Sequence, residues 1–406
     1  MKIMVQKFGG TSVATPDKRQ MVIQKIIQAK KLGYNLVVVV SAMGRKGDPY
    51  ATDTLIDMVS GIGPEVDLRD LDLLMSCGEI ISGVLLASAL RNQGYPTCFL
   101  SGRHAGIITD SDYGSASILR VEPRKLIGKL DEGQIVVVAG FQGITEDGEI
   151  TTLGRGGSDT TAAALGVALD AEVVEIYTDV DGIKTADPKL VGDAKTLDFA
   201  TYSEICQLAY EGAKVVHPRA VEIAMQKNIP LKIKCTFNDH PGTLICSYNN
   251  IKKSIDVVDK IITGIAHTTG ITQIRIPVPK SDKLLANKVF TSLASVGISV
   301  DFINILPEVL LFTVQTPIVQ KAERILKDLG IEYYLKEGCA KVAAVGAGMT
   351  GIPGVLAIIV EALTEKDIEI LQSADSYTSI WCLVLEKDLV DAVNALHSKF
   401  ILTKNH

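Results

Sequence analysis

Apolar runs and helical stripes alternate along the first two-thirds of the chain, which is the pattern of a layered α/β domain. Ile3 to Val5 reads as a strand and is followed by a glycine turn. Thr15 then caps a helix with Pro16 at its first position, and Gly33 closes it. Val22, Ile26 and Ala29 recur at helical spacing and give that helix a core face. Leu36 to Val40 and Ile135 to Ala139 are continuous apolar runs of strand length, as expected of strands buried on both faces. Val173 to Tyr177 is a third, preceded by an alanine-rich helix from Thr160 to Leu169. A polar stretch with Ser247, Asn249, Asn250, Lys252 and Lys253 closes this unit near residues 245–262.

An internal repeat follows. Leu293, Ile298 and Val300 return as Leu363, Ile368 and Ile370, each 70 residues on. Val314 and Val384 keep that offset, as do Ala322 with Ala392 and Leu326 with Leu396. Each copy reads strand, helix, strand, strand, helix, which fits a ferredoxin-like βαββαβ unit. The C-terminal third is therefore two copies of one small fold.

Length and composition narrow the class. At 406 residues the chain has room for two to three domains at about 150 residues each. Its 47% hydrophobic and 22% charged residues are ordinary for a globular protein. The net charge of −6 (41 − 47) excludes a constitutive nucleic-acid binder, which would carry a basic face. A local basic pocket for a small anion stays open. The seven cysteines are scattered without a C-x-x-C pair, which excludes common zinc spacings and a disulfide framework. Reduced thiols in a cytoplasmic chain fit that usage. No basic segment followed by an apolar stretch opens the chain, so no signal peptide is expected. Val342 to Val360 is uncharged and nearly long enough to cross a membrane. Its Gly346, Gly348, Gly351, Pro353 and Gly354 instead fit a strand, a loop and a helix, so no membrane partner is expected.

Three constellations could carry chemistry. Lys7-Phe8-Gly9-Gly10-Thr11-Ser12 follows a strand and precedes a helix. Glycines let backbone amides approach an anion, and lysine adds a point charge, so this is either a phosphate site or a structural turn. No Walker loop occurs in the chain. Gly154-Arg155-Gly156-Gly157-Ser158-Asp159 opens the alanine-rich helix. Ser158 or Asp159 can serve as its N-cap. Arg155 between glycines instead suits capture of a carboxylate or phosphate, and Asp159 beside it suits an ammonium group. Together they match a zwitterionic amino acid. Thr178 and Asp179 lie past a buried strand, where open α/β sheets bind ligands. Asp181-Gly182 and Asp187-Pro188 read as a nucleotide or Mg²⁺ contact, or as turns, the turn being favoured for Asp181-Gly182. A fourth motif, Gly346-Ala347-Gly348-Met349-Thr350-Gly351, matches the dinucleotide fingerprint, but it falls inside the repeat and too little chain follows it.

Several of these segments, in this order, resemble the aspartokinases of the amino-acid kinase family. The carriers are KFGGTS at 7–12, SAMG at 41–44, Cys77-Gly78-Glu79, TLGRGGSD at 152–159, TDVDG at 178–182 and GAKVVHP at 212–218. The likeness covers essentially the whole chain, because that family's regulatory region is also a tandem pair of βαββαβ ACT domains. It implies an amino-acid kinase catalytic domain over residues 1–245, a linker over 246–262, and ACT domains over 263–335 and 336–406. The chain lacks a dehydrogenase domain and so resembles the monofunctional members. It departs from the family in two places. Seven residues, Arg45 to Ala51, separate SAMG from Thr52-Asp53, longer than in many members, and Lys280-Ser281-Asp282 stands where a Pro-Gly turn is usual.

The resemblance implies transfer of the ATP γ-phosphoryl to the side-chain carboxylate of L-aspartate. That carboxylate is already an anion at neutral pH, so no general base is required. By likeness Lys7 and Asp159 are catalytic, while Thr52, Glu79, Arg155 and Ser158 with Asp159 hold the substrate. Lys7, Phe8, Gly9, Gly10, Ser41, Thr178, Asp179, Lys184 and Lys214 serve ATP, with Mg²⁺ carried on the nucleotide rather than in a protein cage. Without the resemblance, Glu79 also reads as a helix-start carboxylate near Gly78. An amino-acid effector (lysine, threonine or meso-diaminopimelate) would bind the ACT pair, with Asp301, Asn304, Ser373 and Asp375 as contacts. A homodimer or tetramer through the ACT domains is implied. The competing readings are a kinase for another small acid and a catalytically inactive amino-acid sensor.

Overall fold

The structure, a computed structural model, describes residues 1–63, 65–213, 215–247, 261–279, 284–347, 349 and 352–402. Two compact units emerge: Met1–Lys184 with Thr196–Ala209 and Lys214–Val258, and Thr185–Lys195 with Tyr210–Ala213 and Asp259–His406.

The strands before residue 248 are β1 (Ile3–Phe8), β2 (Asn35–Val40), β3 (Thr97–Leu100), β4 (Ile107–Thr109), β5 (Ile118–Val121) and β6 (Ile135–Ala139). They continue as β7 (Gln142–Ile144), β8 (Ile150–Thr152), β9 (Val173–Thr178), β10 (Phe199–Thr201), β11 (Leu231–Cys235) and β12 (Thr243–Cys246). The helices are α1 (Gly10–Val13), α2 (Pro16–Lys31), α3 (Thr52–Ser60), α4 (Leu68–Asn92), α5 (Arg124–Asp131), α6 (Gly157–Ala168), α7 (Tyr202–Tyr210) and α8 (Pro218–Gln226).

An eight-stranded sheet in the order β10-β12-β11-β9-β1-β2-β6-β3 forms the centre of the first unit. Every neighbouring pair is parallel except β11 with β12. The apolar runs become its innermost strands because only residues without polar side chains can be covered on both faces. Val37, Val38, Val39 and Val40 are fully buried, as are Val136 to Ala139. Helix α2 behaves as its sequence dictates. Thr15 Oγ1 accepts from the Lys18 amide at 3.3 Å, Pro16 opens the helix, and Gly33 turns the chain at φ 86°. Val22, Ile26 and Ala29 face the core. Register then sets the site. Phe8 lies opposite Val40 and Tyr177, and Val40 opposite Ala139, so four strands end in one row.

Helix α4 is long and apolar enough to cross a membrane by length and composition alone. It carries buried Asp72 and Glu79, and half of its most apolar stretch is covered, as in a core helix.

The second unit contains β13 (Gly264–Pro277), α9 (Leu285–Ser295), β14 (Asp301–Ile305), β15 (Val309–Gln315), α10 (Val319–Asp328) and β16 (Tyr334–Val345). It continues with α11 (Val355–Thr364), β17 (Gln372–Asp375), β18 (Ser379–Leu385) and α12 (Leu389–His397). Within residues 342–360, β16 ends at Val345 with Gly346 directly after it, and α11 begins at Val355; Gly348, Thr350 and Gly351 lie outside the described residues. The six strands make one sheet, β14-β15-β13-β16-β18-β17. Two strands serve both copies. Ile271–Pro277 of β13 pairs with β15, whereas Gly264–Thr268 pairs with Lys341–Val345 of β16, beside β18. The second copy therefore takes its fourth strand from chain that precedes the first. Gly270 at φ 69° sits at the register shift between the two halves of β13, a conformation that favours glycine.

The 70-residue offset is a packing identity. Leu285, Val289, Leu293, Ile298, Phe312, Val319, Ala322 and Leu326 fill one core. Val355, Ile359, Leu363, Ile368, Cys382, Leu389, Ala392 and Leu396 fill the same places in the other. Leu326→Ala and Leu396→Ala should each cost about 2–5 kcal/mol, because both side chains are fully enclosed. Denaturant unfolding of the two variants checks this, and a loss at only one position would break the equivalence.

Candidate active site

The row of strand ends in the first unit carries the charged groups. Lys7 is the penultimate residue of β1, and its Nζ meets Asp159 Oδ1 at 2.6 Å, with both side chains only 12% exposed. A parallel sheet presents its C-terminal strand ends to loops, so Gly9, Ser41, Gly140 and Thr178 follow or close neighbouring strands. Phe8 is buried and stacks on Tyr177, with ring centroids 4.7 Å apart. The Gly9 amide donates to Tyr177 O at 3.2 Å, and Ser41 N donates to Phe8 O at 3.2 Å. Gly10 closes on the SAMG loop: its carbonyl accepts from Gly44 N at 3.0 Å, and a Cβ there would lie 2.6 Å from Ala42 O. The backbone after β1 is thus packed against the backbone after β2 at Gly10, where only glycine fits.

Helix α6 starts at Gly157, three residues earlier than the alanine pattern implies. Its N-cap is Gly156 at φ 71°, with no side-chain cap, so neither Ser158 nor Asp159 caps it. Both instead lie in the buried first turn, where a helix N-terminus favours negative charge. Gly156 also packs so closely on His217 that a Cβ would collide with the imidazole. Burial holds the His217 pKa below its ordinary value, against the pull of Asp159. Arg155 is exposed and makes no ion pair or side-chain hydrogen bond among the described residues.

Glu79 stands in the middle of α4, not at a helix start as the sequence alone allowed. It is 2% exposed, and its Oε1 accepts from the Ala42 amide at 2.9 Å. Among the described residues its other oxygen, Oε2, has no hydrogen-bond partner. Gly78 beside it packs against Ala42 and the Tyr50 carbonyl, which lets α4 approach the SAMG loop. Desolvation raises the Glu79 pKa to about 8.

Thr52 opens α3 after the Ala51 cap and is half-buried. Thr178 donates to Asp179 Oδ1 at 3.2 Å, and Arg45 reaches Asp179 Oδ2 at 2.6 Å. The longer stretch after SAMG therefore supplies a partner on the Asp179 side. Lys184 donates to Thr196 Oγ1 at 3.3 Å, and among the described residues no hydrogen bond or ion pair joins it to Lys7 or Asp159. Lys214 lies outside the described residues. Asp181 accepts from Asn238, and Asp181 and Gly182 lie in a bend with Gly182 at φ 144°. Asp187 Oδ1 accepts from the Lys189 amide, also a turn contact. No three His, Cys, Asp or Glu side chains gather into a metal-binding group among the described residues.

In the second unit Asp301 and Asn304 lie on β14, and Ser373 and Asp375 on β17. Gln372, which the sequence did not single out, joins the two strands. It donates to Phe302 O at 2.5 Å and Asn304 Oδ1 at 2.6 Å, and accepts from Gln273 at 2.8 Å. Asp301 pairs with Lys341 at 3.0 Å. Ser373 and Asp375 are exposed. Sequence reading also missed Phe141, an aromatic residue at φ 68° packed on Gly157, because nothing local announces a left-handed phenylalanine.

A lysine–aspartate pair over glycine-lined strand ends, an exposed arginine on the loop that carries the aspartate and a buried glutamate bound to the SAMG loop have the chemistry of a small-molecule phosphotransferase rather than of a dinucleotide enzyme. The profile of the amino acid kinase family matches residues 2–235, and that of the ACT domain matches residues 334–398. The chain is 51% identical to aspartokinase 1 of Bacillus subtilis (strain 168) over 404 residues, spanning all of both chains. Escherichia coli aspartokinase III in complex with aspartate and ADP superposes with a TM-score of 0.77 at 26% identity, covering 98% of this chain and 99% of that one. The same enzyme with lysine and aspartate gives 0.75 at 25% identity, covering 99% and 100%. The chain belongs to the aspartokinases of the amino acid kinase family.

A carboxyl group whose folded pKa is raised binds a proton that the unfolded chain has released. Stability from Glu79 is therefore largest below its unfolded value of 4.5 and declines as pH rises toward about 8. Glu79→Gln should flatten the stability profile across that window, measured by urea unfolding at a series of pH values. An unchanged slope would place the ionisation elsewhere.

Proposed function

We propose that this chain is an aspartate kinase, transferring the γ-phosphoryl of ATP to the β-carboxylate of L-aspartate to give 4-phospho-L-aspartate. This is the first step from aspartate toward lysine or diaminopimelate, threonine and methionine. The observation that carries the reading is agreement with an aspartokinase across the full length of both chains. The chemistry of the strand-end cluster supports it.

Two anions must approach, and the nucleophile needs no deprotonation, so catalysis is positioning and charge neutralisation. Lys7 neutralises charge on the transferred group. In the free protein Asp159 occupies its ammonium at 2.6 Å; substrate ammonium drawn to Asp159 releases Lys7 toward the phosphoryl oxygens. Glu79, with one oxygen unpartnered, receives the same substrate ammonium. Arg155 and Ser158 take a carboxylate of aspartate, and Thr52 borders that pocket. Gly9, Gly10 and Ser41 offer close backbone approach to phosphates, next to Phe8. Thr178, Asp179, Lys184 and Lys214 serve the nucleotide, and Mg²⁺ enters on the ATP phosphates.

The ACT pair binds a feedback effector, an end product such as lysine, threonine or meso-diaminopimelate. Asp301 and Asn304 on one edge, with Ser373 and Asp375 on the other, are the contacts. The domain spans are 1–245, 246–262, 263–335 and 336–406. The protein works in the cytoplasm as a homodimer or tetramer through its ACT domains.

ATP-dependent aspartyl hydroxamate formation in hydroxylamine tests the reaction. L-Aspartate should give signal and L-glutamate none; the reverse would assign another acid. Lys7→Met should lower kcat by about 10²–10³-fold with the fold intact. A variant within twofold of the parent would remove Lys7 from the reaction.

A further inference from the structure

Helix α4 carries a second buried carboxylate that the reaction does not use. Asp72 lies seven residues before Glu79, two turns away on the same face of the helix. It is completely enclosed, and its two oxygens are engaged. Oδ2 accepts from the Thr152 amide at 2.7 Å and the Gly114 amide at 3.0 Å. Oδ1 accepts from the Thr152 hydroxyl at 2.6 Å.

These partners form the base of the glycine loop. Thr152 closes β8, and its carbonyl accepts from Ala116 N at 2.9 Å, which joins the two segments that Asp72 grips. Arg219 on α8 holds the next link, donating to Leu153 O at 3.1 Å and Ala116 O at 2.9 Å. Gly154 follows directly, packed so that a Cβ would sit 3.2 Å from Gly114 O. Arg155, Ser158 and Asp159 then project from this anchored base. A carboxylate is a costly way to fill a buried space, and an apolar side chain would fill it at less desolvation cost. What the carboxylate adds is a fixed separation between α4 and the loop.

We propose that Asp72 is a positioning residue that sets the distance between Glu79 and the Arg155–Asp159 loop, touching neither substrate itself. This rests on the reading that those residues receive the amino acid. Among the described residues the ends of β1 and β9, on which the nucleotide half is built, make no hydrogen bond to Asp72. Loss of the clamp therefore acts on aspartate selectively.

Asp72→Asn keeps the shape but replaces a charged acceptor by a neutral one, its NH2 turned to the Thr152 hydroxyl and its single oxygen left to the Thr152 and Gly114 amides. In the full chain it should raise KM for L-aspartate about tenfold or more, with KM for ATP changed less than twofold. Thr152→Val removes only the hydroxyl donor and should shift KM in the same direction by less; it decides the matter if Asp72→Asn does not fold. Folded variants with an unchanged aspartate KM, or with both KM values raised alike, would overturn the proposal. Arg155→Ala and Glu79→Gln separate the two layers. If they raise the aspartate KM and the Asp72 and Thr152 variants do not, only the clamp fails. If Arg155→Ala and Glu79→Gln leave it unchanged, the amino-acid pocket itself is misassigned and the clamp falls with it.

Discussion

The ion pair between Lys7 and Asp159 is the contact around which the catalytic unit is arranged. Two nearly enclosed charges, 2.6 Å apart, are tolerable only where each is placed by rigid structure. Lys7 is held by a strand hydrogen-bonded on both sides, to β2 and β9. Asp159 is held in the first turn of a buried helix whose cap is a left-handed glycine. Neither can move without disturbing the central sheet. The same rigidity that carries the cost of desolvation gives a phosphoryl group a preset cation, the main requirement of a reaction whose nucleophile is already ionised.

Around this pair the polar groups fall into two kinds. Among the described residues Arg155 has no hydrogen-bond or ion-pair partner and Glu79 has one oxygen without one, so each has capacity left for a ligand. Asp72 and Arg219 are engaged by two adjoining segments, Gly114 to Ala116 and Thr152 to Leu153. Ligand capacity and structural satisfaction thus fall to different residues, even where, as with Glu79 and Asp72, they share one helix. In the second unit the balance is different. Gln273, Gln372 and Asn304 satisfy one another across the meeting edges of a six-stranded sheet. An amino-acid ligand there would have to exchange existing hydrogen bonds for its own, a suitable basis for a small bound-to-free energy difference.

The central strands and both repeats were legible in the sequence because burial on two faces leaves no choice of residue type. Leu36–Val40 and the 70-residue register are direct records of packing. The glycine loops were legible as well, since close backbone approach excludes a Cβ at Gly10 and Gly156. What escaped depends on long-range register. Asp72 looks like any helical aspartate until β8 is placed beside it. Gln372 gains meaning only when β14 and β17 meet. The start of α6 was misjudged because three poor helix formers are held in its first turn by burial rather than by propensity. The strand Gly264–Thr268, which joins the second copy across the whole of the first, leaves no local mark at all.

The claim that the aspartate carboxylate itself attacks the phosphoryl group is tested most directly by isotope. L-Aspartate carrying ¹⁸O in its side-chain carboxylate is incubated with ATP, Mg²⁺ and hydroxylamine, and the released phosphate is read by ³¹P NMR. Attack by the carboxylate forms an acyl phosphate with ¹⁸O in the bridge. Hydroxylamine then breaks the carbon–oxygen bond, and the phosphate leaves with one ¹⁸O. That result is expected here. Phosphate released without ¹⁸O would mean that water, not aspartate, accepts the phosphoryl group.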